Sequence, residues 1–259
     1  MAAAAALAAA GSRVWAVKRR GGAAPEGVRV VAADLAAGPP AGLPERLDAI
    51  VLAVAPGGSA DSYASTYPPA ARAAVALARA TAARSIVYTS STGVYGGKNG
   101  EWVDEKSPRS GAGPGQAALC EAEDLLLESG LTGVTVLRIA GIYGPGREIC
   151  PRYANSEKLP LRGSCWVNLA HRDDIVAAMV LALQYSGSPR VLNVCDGAPA
   201  QASEVARWCA GVRGEAPDAQ KFNCDDPPTR SNQRISNAAL RDLGWRPRFA
   251  SFRERGDGL

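Results

Sequence analysis

Histidine occurs once and methionine twice in this chain of 259 residues, and aromatic side chains make up only 6% of it. One imidazole and six cysteines (Cys120, Cys150, Cys165, Cys195, Cys209 and Cys224), none in a C-x-x-C pair, cannot supply ordinary zinc spacing, so no metal site is expected. Cysteines scattered in this way read most simply as the thiols of a reduced intracellular protein. Long apolar runs are also missing: charges or Pro/Gly interrupt every stretch before the roughly 18 residues that a membrane span requires. The formal net charge of +4 is small and dispersed, with no basic-aromatic interleaving, which argues against a nucleic-acid surface. No acidic residue precedes Glu26, and eight of the first ten residues are alanine. Such a start reads either as an organelle transit peptide bound for plastid or mitochondrion, or as a small-residue helix opening a cytoplasmic domain.

At 47% hydrophobic and 21% charged, the chain suits one large globular domain or a domain with a small lobe. Residues 2–10 have high helix propensity, and Gly11 supplies a stop just beyond them. Short β-branched runs at 13–17, 28–32 and 49–54 read as buried parallel strands. Helical composition over 61–84 leads into a strand at 85–90, and an amphipathic helix at 116–129 leads into a strand at 134–138. A helix at about 172–184 then precedes a strand at 190–194, with shorter helices at 202–210 and 237–243. This alternation predicts an α/β doubly wound parallel sheet, which places ligands beyond the carboxyl ends of its strands, here after residues 17, 54, 90 and 138. Those junctions carry Lys18, Arg19 and Arg20; Ala53, Val54 and Ala55; Ser90, Ser91 and Thr92; and the run from Gly141 through Tyr143 to Gly146.

The segments V-Y-T-S-S-T-G-V-Y-G (87–96), L-R-I-A-G-I-Y-G-P-G (137–146) and H-R-D-D-I (171–175), in this order, resemble the extended short-chain dehydrogenase/reductases. The nearest likeness is to the atypical epimerase/dehydratase-like subgroup called YeeZ-like, and R-I-S-N (234–237) and L-G-W-R-P (243–247) extend it across nearly the whole chain. The resemblance implies an NAD(P)-binding Rossmann-like domain over 1–145, to which 171–196 return, and a small C-terminal substrate lobe from 146–170 and 197–259. It also implies a small-molecule or nucleotide-linked substrate.

On the same resemblance, Ser91 hydrogen-bonds the reacting oxygen of the substrate, with Thr92 beside it and Tyr143 as a nearby phenol, as is Tyr95. The other reading of Ser91 is that it closes a strand-to-loop turn. The family's Y-x-x-x-K pair, in which the lysine lowers the tyrosine pKa for acid-base work, belongs where 113–121 stand, and neither residue is there. The usual hydride-transfer mechanism is thereby removed. Lys18, Arg19 and Arg20 stand where an NAD-preferring protein carries an acid, so the implied cofactor is NADP, with NAD as the alternative, or else these cations form a solvated surface. Asp34 and Leu35 border the adenine, Ala53, Val54 and Ala55 pack beside the adenosine, and Ser90 completes the cofactor set. The first strand and the glycine-rich phosphate turn that should precede the helix at 2–10 are missing. The expectation is therefore a member short of its N-terminal strand, or one that has lost dinucleotide binding, with the alanine-rich start as the helix that follows the turn.

His171 opens a helix with Asp173 and Asp174 in its first turn and reads as a structural hydrogen-bonder. Residues 100–105 read as an acidic loop, either paired carboxylates for acid-base work or a solvated surface. Trp166, Trp208 and Trp245 are expected to anchor the small lobe. Two function classes stand open: an NADP-dependent epimerase/dehydratase-like or reductase-like enzyme, and a non-catalytic Rossmann-fold binding or scaffold protein.

Overall fold

Pro68 and Pro69 fix where the first long helix begins. Neither carries an amide hydrogen, so both fit the first turn of α3 (Tyr67–Thr81), where none is needed. The helix expected as one piece over 61–84 therefore divides into α2 (Asp61–Ala64) and α3. The computed structural model describes residues 1–57, 61–154, 164–216 and 231–254; Cys224 and part of the expected C-terminal lobe lie outside them. The chain divides into two compact units: Met1–Val94, Arg109–Arg138 and Val176–Leu192 form the first, and Tyr95–Pro108, Ile139–Ile175 and Asn193–Leu259 the second.

In the first unit, α1 (Ala2–Ala9) leads to β1 (Val14–Lys18), which pairs in parallel with β2 (Val28–Ala32) from Val14↔Val28 to Lys18↔Ala32. A second sheet contains β3 (Ala49–Leu52), β4 (Ser85–Ser91), β6 (Val134–Ile139) and β10 (Arg190–Val194) in the order β10-β6-β4-β3, with β3 and β4 parallel. Among the described residues no ladder joins β1 to β3. The inner face of α3 presents Ala70, Ala71, Ala74, Leu77 and Ala78 at helical spacing, and α4 (Pro114–Leu127) presents Ala118, Leu119, Ala122 and Leu126. The small side chains of Ala70, Ala71, Ala74, Ala78 and Ala122 let the helices close, with Leu126, against Leu52, Ile86, Tyr88, Val134 and Val136 in one apolar cluster, whose burial is the main favourable term holding this unit together.

The second unit is built from short ladders. β5 (Glu101–Val103) pairs in parallel with β12 (Gln233–Ile235), β7 (Gly141–Tyr143) in parallel with β9 (Leu169–His171), and β8 (Trp166–Val167) antiparallel with β11 (Ala200–Gln201). Residues 100–105, expected as an acidic loop, thus contain a strand. Its partner lies more than a hundred residues away, so local composition carries no sign of it. Helix α6 (Arg172–Leu183) follows β9 directly, α5 (Ile149–Ala154) packs with α7 (Ala202–Val212), and α8 (Ala238–Asp242) is a single short turn beyond β12. Cys150 on α5 and Cys209 on α7 are joined as a disulfide, whereas the sequence suggested thiols throughout; the two are 59 residues apart and only tertiary packing reveals them as partners. Cys120, Cys165 and Cys195 are free. Tyr143, Ile149, Leu169, Val205 and Phe252 make this unit's core, with Trp208 edge-on to Phe252. No described helix is long and apolar enough to cross a membrane.

Candidate functional site

Successive side chains of a strand point to opposite faces, and the last two residues of β4 use both. Ser90 turns inward: its hydroxyl donates to Glu123 Oε1 at 2.6 Å. Glu123, fully buried on α4, also receives Arg138 Nη2 at 2.7 Å and Arg109 Nη1 at 3.2 Å, so β4, α4 and β6 are fastened together directly beneath the end of β4. Arg109 continues to Asp124 at 2.7 Å. The Ser90 hydroxyl, assigned to the cofactor from the sequence, is therefore engaged inside the protein.

Ser91 lies half-buried at the mouth of the strand. Its Oγ accepts the Gly93 amide at 3.0 Å, closing the turn, and an acceptor bond of this kind leaves the serine's own O–H to donate elsewhere. Thr92 opens the short 3-10 turn Thr92–Val94. The Gln116 side chain, from the first turn of α4, donates to the Gly93 carbonyl at 2.7 Å and ties that turn to Ser91. Beside it, Gly115 leaves a gap that the ring of Tyr63 enters: a Cβ on residue 115 would lie 3.1 Å from Tyr63 Cδ1.

At the end of β1, Lys18 Nζ donates to the Ala23 carbonyl at 2.9 Å, while Arg19 and Arg20 are exposed. Gly21 and Gly22, with φ of +60° and +90°, turn the chain back in a backbone conformation that side chains with a Cβ rarely adopt. Asp34 accepts the Ala36 amide at 3.0 Å and caps the 3-10 turn Leu35–Ala37. Leu35 and Val54 are half-buried against the first unit's core, and Ala53 and Ala55 are exposed. These are the residues assigned from the sequence to the adenosine end of a dinucleotide. Among the described residues no glycine-rich cradle for the pyrophosphate is present, and the N-cap Met1 of α1 supplies no side-chain bond.

In the second unit, Tyr143 is buried opposite His171 in the β7–β9 ladder, their rings edge-on at 5.1 Å, and His171 lies 3.7 Å from the Phe249 ring. His171 Nδ1 accepts the Asp173 amide at 3.2 Å, the structural role expected of it. Gly144, at φ +117°, comes so close that a Cβ there would meet His171 Nε2 at 2.7 Å. Asp174 accepts the amides of Arg248 and Phe249 at 2.8 and 3.0 Å. The Tyr143 hydroxyl and Asp196 Oδ2 are buried without a hydrogen-bond partner among the described residues. Burial first, then the charges of Asp196, Asp174 and Glu254, raise the Tyr143 pKa and keep the phenol protonated.

The carboxylates at 100–105 each serve the backbone. Glu101 accepts the amides of Lys98 and Asn99, Asp104 those of Lys106 and Ser107, and Glu105 that of Asn193 at 2.7 Å. Tyr95, fully buried, donates to Asn193 Oδ1 at 2.8 Å. Trp245 is buried and donates to the Asp174 carbonyl, whereas Trp166 stacks on the Arg234 guanidinium at 5.0 Å. Among the described residues no cluster of His, Cys, Asp or Glu could hold a metal ion. Sequence reasoning missed Glu123, Arg138, Arg109 and Tyr63; the one available signal was Arg138, a cation inside a mostly apolar strand.

Parallel pairing, a hydroxyl-bearing turn at the mouth of β4 and cations after β1 define a Rossmann-like α/β protein. Residues 2–195 match the NAD dependent epimerase/dehydratase family, and the chain belongs to it. Protein YeeZ of Escherichia coli strain K12 is 38% identical over 110 residues, 42% of this chain and 39% of that protein, so the match spans about two-fifths of the curated relative. A protein assigned as an NAD-dependent epimerase/dehydratase from Methylobacillus flagellatus is similar over 96% of this chain and 89% of its own, at 29% identity and a TM-score of 0.77. MoeE5, solved with UDP-glucuronic acid and NAD, shares the fold over 98% of this chain and 93% of its own at 21% identity and a TM-score of 0.79.

Proposed function

We propose that the chain binds a nicotinamide dinucleotide phosphate, NADP in preference to NAD, and acts on a sugar-nucleotide or similar small hydroxylated substrate at the mouth of β4. The observation that carries this is the pair of junctions: the exposed Arg19 and Arg20 at the end of β1 and a donor-competent serine at the end of β4. Arg19 and Arg20 would pair with the 2′-phosphate, and Leu35 and Val54 would bound the adenine. When bound, the dinucleotide would supply redox chemistry, without the Y-x-x-x-K pair that ordinarily assists hydride transfer. The chain's own part is to orient the substrate, with the Ser91 hydroxyl donating to the substrate oxygen while Gly93 and Gln116 hold the serine in place.

Titration with NADPH and NADH tests the cofactor half. NADPH is expected to bind more tightly, and Arg19→Ala with Arg20→Ala to weaken it by about tenfold or more, roughly 1.4 kcal/mol, with NADH affinity unchanged. Equal affinities for the two dinucleotides in the parent protein would remove the NADP assignment.

The lack of tyrosine and lysine over 113–121 favours a second reading, a binding protein without turnover. Ser91→Ala separates the two. As an enzyme the protein should lose activity toward UDP-sugars by on the order of 100-fold, the cost typical of removing one such donor. As a binding protein it should show no turnover in either form and a change in affinity only.

A further inference from the structure

Trp102 is the one aromatic side chain that the described residues leave mostly in water, 55% exposed. β5 and β12 pair in the register Arg234↔Trp102, and the next pair, Val103 with Ile235, is buried, so strand pleating turns Arg234 and Trp102 outward together. Along its other edge β12 is tied to β8 and the residue after it. The Trp166 amide donates to Asn232 Oδ1 at 2.9 Å, and Asn168 donates to the Gln233 carbonyl and accepts the Ile235 amide, each at 2.8 Å. Arg234 therefore has an indole from the strand on either side: its guanidinium carbon lies 5.2 Å from the Trp102 ring and 5.0 Å from the Trp166 ring. Nε donates to the Gly100 carbonyl at 2.7 Å, which fixes the rotation of the group. Gly100 fits there only for want of a side chain, since a Cβ would lie 2.8 Å from Trp166 Nε1.

With rings on both sides and Nε occupied, the guanidinium presents its two terminal nitrogens in its own plane, and neither bonds a described residue. Carboxylates stand close in sequence but are turned elsewhere: Glu101, Asp104 and Glu105 all accept backbone amides. Guanidinium and indole N–H groups only donate. The three side chains thus make a positively charged, donor-only patch, and its complement is an acceptor-only anion that meets a guanidinium edge-on, a carboxylate. The chain's net charge of +4 likewise favours the approach of an acidic partner over a basic one.

We propose that Trp102, Arg234 and Trp166 form a docking surface for an acidic segment of a partner protein, in which an aspartate or glutamate carboxylate takes the terminal nitrogens of Arg234 and its neighbours cover Trp102. Tryptophan and arginine are the side chains that most often carry the energy of such contacts. The stack is already formed in the chain alone, so Arg234 gives up little freedom on binding. All three residues belong to the second unit, and the proposal is independent of the reading of the β4 mouth.

Fluorescence anisotropy of a labelled hexaglutamate peptide titrated with the full chain tests it, with hexaglutamine as the neutral counterpart and glutarate as competitor. The parent should bind hexaglutamate and leave hexaglutamine free. Arg234→Lys keeps the charge but loses the planar fork, and should weaken binding by about tenfold. Trp102→Ala, a change at an exposed position, should weaken it comparably. Arg207→Gln, which removes an exposed cation of α7, should stay within about twofold of the parent. Absence of hexaglutamate binding overturns the proposal, as does parent-like binding by both Arg234→Lys and Trp102→Ala. An equal loss in Arg207→Gln and Arg234→Lys would reduce the effect to overall charge and overturn it too. Glutarate competing at the affinity of the peptide would assign the patch to a small carboxylate, and a dimer of the chain that Trp102→Ala dissolves would assign it to a second copy; either result overturns the acidic partner.

Discussion

Glu123→Ala is expected to destabilise the protein by about 3–5 kcal/mol, the usual cost of stripping one partner from a buried ion pair. Glu123 has no exposed surface and Arg138 only 3%, so water cannot take the place of the lost carboxylate. Arg138 would lose its carboxylate partner beneath the sheet, and the Ser90 hydroxyl would lose its 2.6 Å acceptor. A domain's whole stability is roughly 5–15 kcal/mol, so the variant should unfold at a much lower urea concentration. The pair itself need not be strongly stabilising. Desolvating two charges offsets most of their attraction, so the double variant Glu123→Leu with Arg138→Met should recover most of the loss. A single Glu123→Ala variant whose urea midpoint matches the parent's would show that the buried pair does not form in solution. Because the network anchors the residue next to Ser91, the destabilised variant should also lose affinity for substrate.

The network illustrates which parts of this molecule were legible in the sequence. The alternation of strands and helices, the strand ends at Lys18 and Ser91, and the helix opened by His171 all follow from local periodicity and turn chemistry, and the structure has these elements within a few residues of where they were read. Ser90 and Ser91 looked like one hydroxyl cluster. Strand pleating separates them, one serine to an internal carboxylate and the other to the turn. The pairing of β5 with β12, the contact of Cys150 with Cys209 and the approach of Tyr63 to Gly115 join positions roughly fifty to more than a hundred residues apart. No window of local sequence contains both partners, and each residue by itself has an unremarkable composition-level explanation. Pro68 and Pro69 are a different case: the signal that splits α2 from α3 was local, but the surrounding alanines outweighed it in a reading by composition.

The stability that Asp196 contributes should fall as pH rises from about 4 to about 7. Burial, opposed in part by the Ala198 amide and reinforced by the charge of Asp174, pushes its pKa up to about 7. In the unfolded chain an aspartate titrates near 4. The folded protein therefore holds the proton more tightly than the unfolded one. Its contribution is fully present below about pH 4 and is lost as pH rises through 7, where the carboxylate must ionise in place with Oδ2 unpaired among the described residues. The difference corresponds to about 4 kcal/mol at most. The charges that bear on it are Asp174, which raises the pKa, and Arg253, which lowers it. Asp196→Asn keeps an oxygen for the Ala198 amide, bonded to Asp196 Oδ1 at 2.9 Å, and cannot ionise. It should raise the melting temperature at pH 8 and lose that advantage at pH 4. An asparagine variant less stable than the parent at pH 8 would show that Asp196 is charged and paired in the folded state.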